Sequence, residues 1–153
     1  MIFLSFYHFS INIFILLLHM LSKTSKYGLK ATTHMVSHHE AGKLFKVEEL
    51  STELQIPKHF LAKVMLDLTK KGILSSVKGP RGGFYFSDIQ LEFTPADVIF
   101  ALENDDFLRT CIMEIRPCDL QKTCPFHNKY SVIKQEIISG LQCNTFRDLI
   151  STS

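Results

Sequence analysis

Three breaks follow one another in the middle of the chain: an Ile56-Pro57 step, Gly72, and the run Lys78-Gly79-Pro80-Arg81-Gly82-Gly83. The residue before a proline is pushed out of the helical region, while proline itself suits a helix start. One helix therefore ends before Ile56 and the next begins at Pro57. From Pro57 to Lys71, Leu61, Val64, Met65 and Leu68 recur at i, i+3, i+4 and i+7, one face of a helix, and Gly72 supplies its C-terminal cap. Leu66 falls off that apolar stripe. Upstream, Val47, Leu50 and Leu54 share a face, and Glu48 and Glu49 suit the first turn of a short helix from Val47 to Leu54. Two helices joined by so short a turn make a helix-turn-helix. Beyond Gly72, Ile73 to Val77 and Phe84 to Phe86 read as two strands joined by the glycine-rich turn. The fold class is mainly α with a small β-wing: a winged helix-turn-helix.

The flanks read as helical too. Tyr27, Ala31 and Met35 lie at i, i+4 and i+8 of a first helix that starts after Lys23 and is expected to stop near Gly42. Thr94-Pro95-Ala96-Asp97 is a helix start with threonine as N-cap, proline at the first position and an acid in the first turn, leading to Leu102. Periodicity is lost from Asn104 to Asn128, a stretch long enough to be a functional loop. It returns from about Lys129, with Tyr130, Ile133, Ile137 and Leu141 on one side, and Thr145 to Ile150 reads as one further capped turn. No internal repeat is present. The 153 residues amount to one domain with room for an appendage. With 21% charged residues, seven glycines and five prolines, a packed core is expected, and a disordered tail, collagen or disulfide miniprotein is excluded. The expected division is an extension over 1–19, a DNA-binding unit over 20–90 and a C-terminal unit over 91–153.

The opening segment stands apart. From Met1 to Leu21 no Asp, Glu, Lys or Arg occurs, and the first charge is Lys23. The stretch is long enough to span a bilayer, yet it has neither the positive flank nor the cleavage site of a secretory signal. The preferred reading is translation from Met20 with an over-extended gene start; a membrane anchor and a buried helix are the alternatives. On the preferred reading the protein is cytoplasmic and no membrane partner is expected.

A net charge of +2 says little by itself, but the distribution is uneven. Between Pro57 and Gly83 lie Lys58, Lys63, Lys70, Lys71, Lys78 and Arg81 against a single acid, Asp67, while acids gather between Glu92 and Asp119. Such a face neutralises phosphates and releases counterions. A merely solvated helix face is the ordinary alternative, but here the charges coincide with a recognition-helix position and a wing. Lys58, His59 and Lys63 at the start of the helix are placed to meet base edges. Lys70 and Lys71 at its far end suit phosphates, and Arg81, with flanking glycines that let the backbone approach, suits a minor groove. Lys23 and Lys78 complete the expected DNA-binding set.

Three of the four cysteines lie in the aperiodic stretch, with six residues between Cys111 and Cys118, five between Cys118 and Cys124, and His127 after two more. Without an export signal, disulfides are disfavoured and a metal or redox role is preferred. Three thiolates and an imidazole make an accepted zinc site. The gaps are wider than zinc knuckles use and suit a loop wrapped round an iron-sulfur cluster, with Cys124-Pro125 echoing cluster loops. Imidazole in place of a thiolate lowers the negative charge, raises the potential and leaves one bond sensitive to protonation. Cys143 lies off this spacing and is expected to be a free buried thiol. The chain has no nucleophile-base constellation and no phosphate-cradling glycine loop before a helix, so no enzyme is expected.

Taken together, the opening Met20-Leu21-Ser22-Lys23-Thr24-Ser25-Lys26-Tyr27-Gly28-Leu29-Lys30-Ala31, Ile56-Pro57 with Phe60-Leu61, the run from Gly72 to Phe84, and the Cys-Cys-Cys-Pro-Phe-His loop resemble the iron-sulfur winged-helix transcription regulators of bacteria. This is the Rrf-two family of IscR, NsrR and RirA, and the resemblance covers Met20 to about Ile150. It implies a homodimer joined through a long C-terminal helix, here about Lys129 to Leu141, on a palindromic operator in double-stranded DNA. It also implies one cluster per subunit on Cys111, Cys118, Cys124 and His127. The histidine favours the two-iron two-sulfur type over the branch that takes its fourth ligand near the N-terminus. Two departures stand out. Ala62 occupies the position of an acid used for base selection in IscR, so the target sequence does not carry over, and Lys78 replaces a common arginine, losing the bidentate fork. The expected function is a DNA-binding regulator, in the first place a repressor, that senses iron-sulfur status, redox state or nitric oxide. A zinc-stabilised regulator without a cluster and an electron-transfer protein are the alternatives.

Overall fold

The computed structural model describes residues 21–103 and 127–152. Its helices are α1 (Lys23–Ser37), α2 (Val47–Leu54), α3 (Lys58–Lys70), α4 (Pro95–Leu102), α5 (His127–Gln142) and α6 (Phe146–Thr152). A single 3-10 turn covers Gln90–Glu92, and the strands are β1 (Ser75–Val77) and β2 (Gly83–Tyr85). The chain is mainly helical with one small antiparallel sheet, as its sequence pattern predicts.

Each helix starts or stops for a local reason. Ser22 caps α1 by accepting the Ser25 N–H at 3.2 Å, and its own N–H donates to Glu103 Oε1 at 2.9 Å, which ties the start of α1 to the end of α4. α1 stops at Ser37 with His38 as its cap; Gly42, at φ +79°, belongs to the following turn and not to the helix end. α2 ends on Gln55 in the left-handed region, φ 54°, where Ser51 Oγ donates to the Ile56 carbonyl at 2.7 Å. Pro57 is the N-cap of α3 and lies just outside the helix, because its ψ of 127° is extended. Thr94 donates both its N–H and its hydroxyl to Asp97 Oδ2 at 2.7 Å, the reciprocal cap expected for α4. Thr145 does the same with Asp148 at the start of α6, at 2.9 and 2.8 Å. α5 begins two residues earlier than its apolar period suggests, so His127 is its first residue.

The main core collects Ala31, Met35 and Val36 of α1, Leu50 of α2, and Leu61, Val64, Met65 and Leu68 of α3. Phe45, Ile56, Ile73, Leu74, Phe84, Phe86, Leu91, Val98 and Phe146 complete it, so residues on both sides of position 90 share one interior. Close helix packing needs a missing side chain at Gly28, where a Cβ would lie 2.3 Å from Leu102 Cδ1. Ile137 of α5 joins Leu21 and Ile99 in a second, smaller cluster, with Leu29, Ile133 and Leu141 against it.

Candidate nucleic-acid interface

α3 and the wing are held to each other by more than their connecting residues. β1 and β2 pair Ser75 with Tyr85, Ser76 with Phe84 and Val77 with Gly83. Phe45 extends the pairing as a bridge to Phe84, its N–H reaching the Phe84 carbonyl at 2.8 Å and its carbonyl accepting the Phe84 N–H at 2.9 Å. Gln90 closes the other side. Its buried amide donates from Nε2 to the Gly72 carbonyl at 2.9 Å, and its Oε1 accepts the Ser87 N–H at 3.0 Å. One side chain thus fastens the exit of the wing to the end of α3.

The wing turn is closed by Gly82 N–H on the Gly79 carbonyl at 2.9 Å. A Cβ at Gly82 would lie 2.0 Å from the Val77 carbonyl oxygen, and one at Gly83 would lie 2.8 Å from that of Phe45. These glycines are required by the wing's own backbone. This requirement is separate from the expected close approach of the wing to DNA.

α3 buries Leu61, Val64, Met65 and Leu68. At 100° per residue the centre of the opposite side falls between His59, Lys63, Leu66 and Lys70, and all four are exposed. Of the expected DNA-binding residues, His59 and Lys63 are therefore on the outward face of α3, Lys78 and Arg81 are exposed on the wing turn, and Lys23 is exposed on the first turn of α1. Lys63, Lys71, Lys78, Arg81 and Lys23 form no ion pair among the described residues. Lys70 reaches Asp67 Oδ1 at 3.5 Å. Lys58 is engaged inside the motif: its Nζ lies 2.5 Å from Glu48 Oε1 on α2. The hydrogen bond from Lys58 holds the Glu48 carboxyl below the usual carboxylate range, with a smaller contribution from its own backbone. His59 lies against the Phe60 ring, centroids 4.2 Å apart. The sequence reading missed Glu48 and Gln90 as organisers of this surface. An acid in the first turn of α2, ten residues before a lysine that opens α3, is the available signal for the former; nothing local signals the latter.

Of the expected metal ligands only His127 falls among the described residues. Cys111, Cys118 and Cys124 lie outside the described residues, and His127 is the first residue of α5. Cys143, expected to be buried, is exposed just past the end of α5, where its thiol donates to the Gly140 carbonyl at 3.0 Å and accepts from Asn144 Nδ2 at 3.3 Å. No described helix is long and apolar enough to cross a membrane; residues 1–20, where an anchor was weighed, lie outside the described residues.

Residues 21–152 match the family profile Rrf2, described as an iron-dependent transcriptional regulator. Over 132 residues, 85% of this chain and 90% of the relative, the sequence is 33% identical to a protein of Aquifex aeolicus provisionally named an HTH-type transcriptional regulator. Two solved structures share the fold. CymR, the global cysteine regulator of B. subtilis, superposes with a TM-score of 0.67 at 19% identity, covering 87% of this chain and 97% of that one. T. potens IscR gives a TM-score of 0.66 at 17% identity, covering 86% of each.

Proposed function

This chain belongs to the Rrf2 family of transcriptional regulators, and we propose that it is a DNA-binding repressor whose operator affinity responds to an iron-sulfur centre on Cys111, Cys118, Cys124 and His127. The observation that carries the DNA half is the outward face of α3. It presents His59, Lys63 and Lys70 to solvent, and the wing turn carries exposed Lys78 and Arg81. A helix held this way enters a major groove with its first turns against base edges, while the wing reaches the neighbouring backbone or minor groove. Two copies joined through α5 would bring two such helices to the half-sites of a palindrome.

The sensing half rests on the donor set. Three thiolates and one imidazole fit a two-iron cluster, and they fit a zinc ion equally in number. When bound, a two-iron cluster supplies redox chemistry, and its imidazole ligand is the one that protonation releases. His127 opens α5, and Ile137, further along the same helix, packs on Leu21 and Ile99. Ile99 belongs to α4, which packs on α1. A change in how His127 is held is therefore applied to the helix that touches the DNA-binding core. The fold is shared with a cysteine regulator and with IscR alike, so the donor set, not the fold, selects the signal.

Anaerobic purification tests the sensing half directly. Brown protein with bound iron and sulfide in about 1:1 ratio to each other supports the cluster, and colourless protein with stoichiometric zinc overturns it. Operator affinity measured for cluster-bearing and cluster-free protein completes the test. Because only a differential affinity shifts an equilibrium, equal values refute sensing.

A further inference from the structure

Two of the four side chains on the reading stripe of α3 are apolar. His59, Ala62, Lys63 and Leu66 stand at i, i+3, i+4 and i+7, the spacing with which a helix lying in a major groove meets successive base pairs. Leu66 is half exposed, at 50%, although it sits in the centre of a helix whose inner face is fully occupied by Leu61, Val64, Met65 and Leu68. Ala62, one turn before it, is partly exposed on the same side. Neither has a polar group for a phosphate or a base edge. In the major groove one base pair component offers an apolar contact, the 5-methyl of thymine, and aliphatic side chains are its complement.

We propose that Leu66, with Ala62 beside it, is a specificity-determining residue that reads a thymine methyl in each half-site. The proposal rests on the reading of α3 as the recognition helix. Lys63, on the same stripe and one turn from Leu66, anchors the register through hydrogen bonds to a base edge. Leu66 then lies over the base pair deeper along the groove and loses apolar surface to the methyl. Burying one methyl-sized group corresponds to about fourfold in affinity per half-site, on the usual value for a buried CH₂.

The test is a double change, one on each side of the contact. Duplexes selected from a random pool by anaerobically purified wild-type protein define the motif; each thymine is then replaced by deoxyuridine, which removes only the methyl. At one symmetric position the replacement should weaken wild-type binding about fourfold for each half-site changed, so about sixteenfold when both are, and Leu66→Ser should bind the substituted and unsubstituted duplexes equally. Leu66→Ser leaves the core untouched, and an unchanged thermal midpoint verifies that it folds. If wild-type protein selects a motif but no thymine-to-deoxyuridine change matters, or if Leu66→Ser remains equally sensitive to it, the methyl contact is refuted while the recognition-helix reading stands. Selection of no motif at all overturns both.

Discussion

Lys63 and Lys71 carry the same charge, yet on the proposed reading of α3 they do different work. Lys63 lies on the outward stripe of α3 one turn from its start, and Lys71 caps the far end. A side chain against base edges changes which sequences are preferred, whereas one against phosphate changes affinity for all of them. Lys63→Ala should alter the selected motif. Lys71→Ala should weaken binding evenly and lower the slope of log K against log salt by about one; titrations at several salt concentrations check both. Gln90 offers a second test at this scale. Replacement by leucine leaves the Gly72 carbonyl and the Ser87 N–H without the partners they have now. Gly72 is exposed and Ser87 half-buried, so water can partly replace the lost partner; Gln90→Leu should lower the denaturant midpoint by the equivalent of about 1 kcal/mol, the low end of the cost of an unpaired polar group.

Between α2 and α3 the contact that matters is Lys58 on Glu48. Both side chains are exposed, so the pair adds little to stability, but it spans the two helices of the motif and partly neutralises one cation at the start of α3. Glu48→Gln removes the negative partner and should raise affinity for nonspecific duplex, with a steeper salt slope, in binding assays at neutral pH. The sign with pH follows from the lowered pKa of Glu48, caused first by the Lys58 hydrogen bond. The pairing is complete above the ordinary carboxylate pKa and is lost as pH falls through the depressed folded value. Wild-type and variant protein should therefore converge in acid. At the wing, Gly82→Ala would set a Cβ 2.0 Å from the Val77 carbonyl and force the turn to shift. Operator affinity should fall while the helices keep their circular dichroism. These elements differ in how legible they are in the amino-acid order. The helices, both reciprocal caps and the wing follow from periodicity and from Thr, Pro and Gly at defined offsets. The end of α1 does not, since Gly42 offers a better stop than His38 and the helix still ends at Ser37. Tertiary docking of Phe45 onto Phe84 requires the chain to turn before position 45, and no local signal encodes that. Leu66 looks like a misfit in the stripe of α3 because the pattern reports the core side only. Cys143 reads as buried from residue type, whereas its place past the end of α5 exposes it.

Among the described residues, the last helix ties the C-terminal segment to the main core. After α5 the backbone turns at Thr145, and Phe146 enters the main core fully buried, its ring 5.0 Å from Phe86 and its N–H on the Phe93 carbonyl at 2.9 Å. Arg147 adds a guanidinium pair to Glu92 and a hydrogen bond to the Asp88 carbonyl at 2.9 Å, in the segment that leaves the wing. α5 thus reaches the DNA-binding core at two places, through Ile137 along its length and through Phe146 just beyond its end. On this geometry Phe146 contributes to stability, and on the proposed reading it also lies on the route from α5 to the DNA-binding core. Phe146→Ala should cost about 3–5 kcal/mol, the range for emptying a buried phenylalanine site. Arg147→Ala lies on the surface, where an exposed ion pair contributes little, so it should leave stability nearly unchanged while loosening the tail from the wing exit. The measurement is operator affinity of cluster-bearing and cluster-free protein in each background. If α6 carries part of the signal, the ratio of the two affinities shrinks in Arg147→Ala even though the protein melts where wild type does. A ratio identical to wild type, with normal melting, would show that α5 acts on the reading helices through Ile137 and α4 alone.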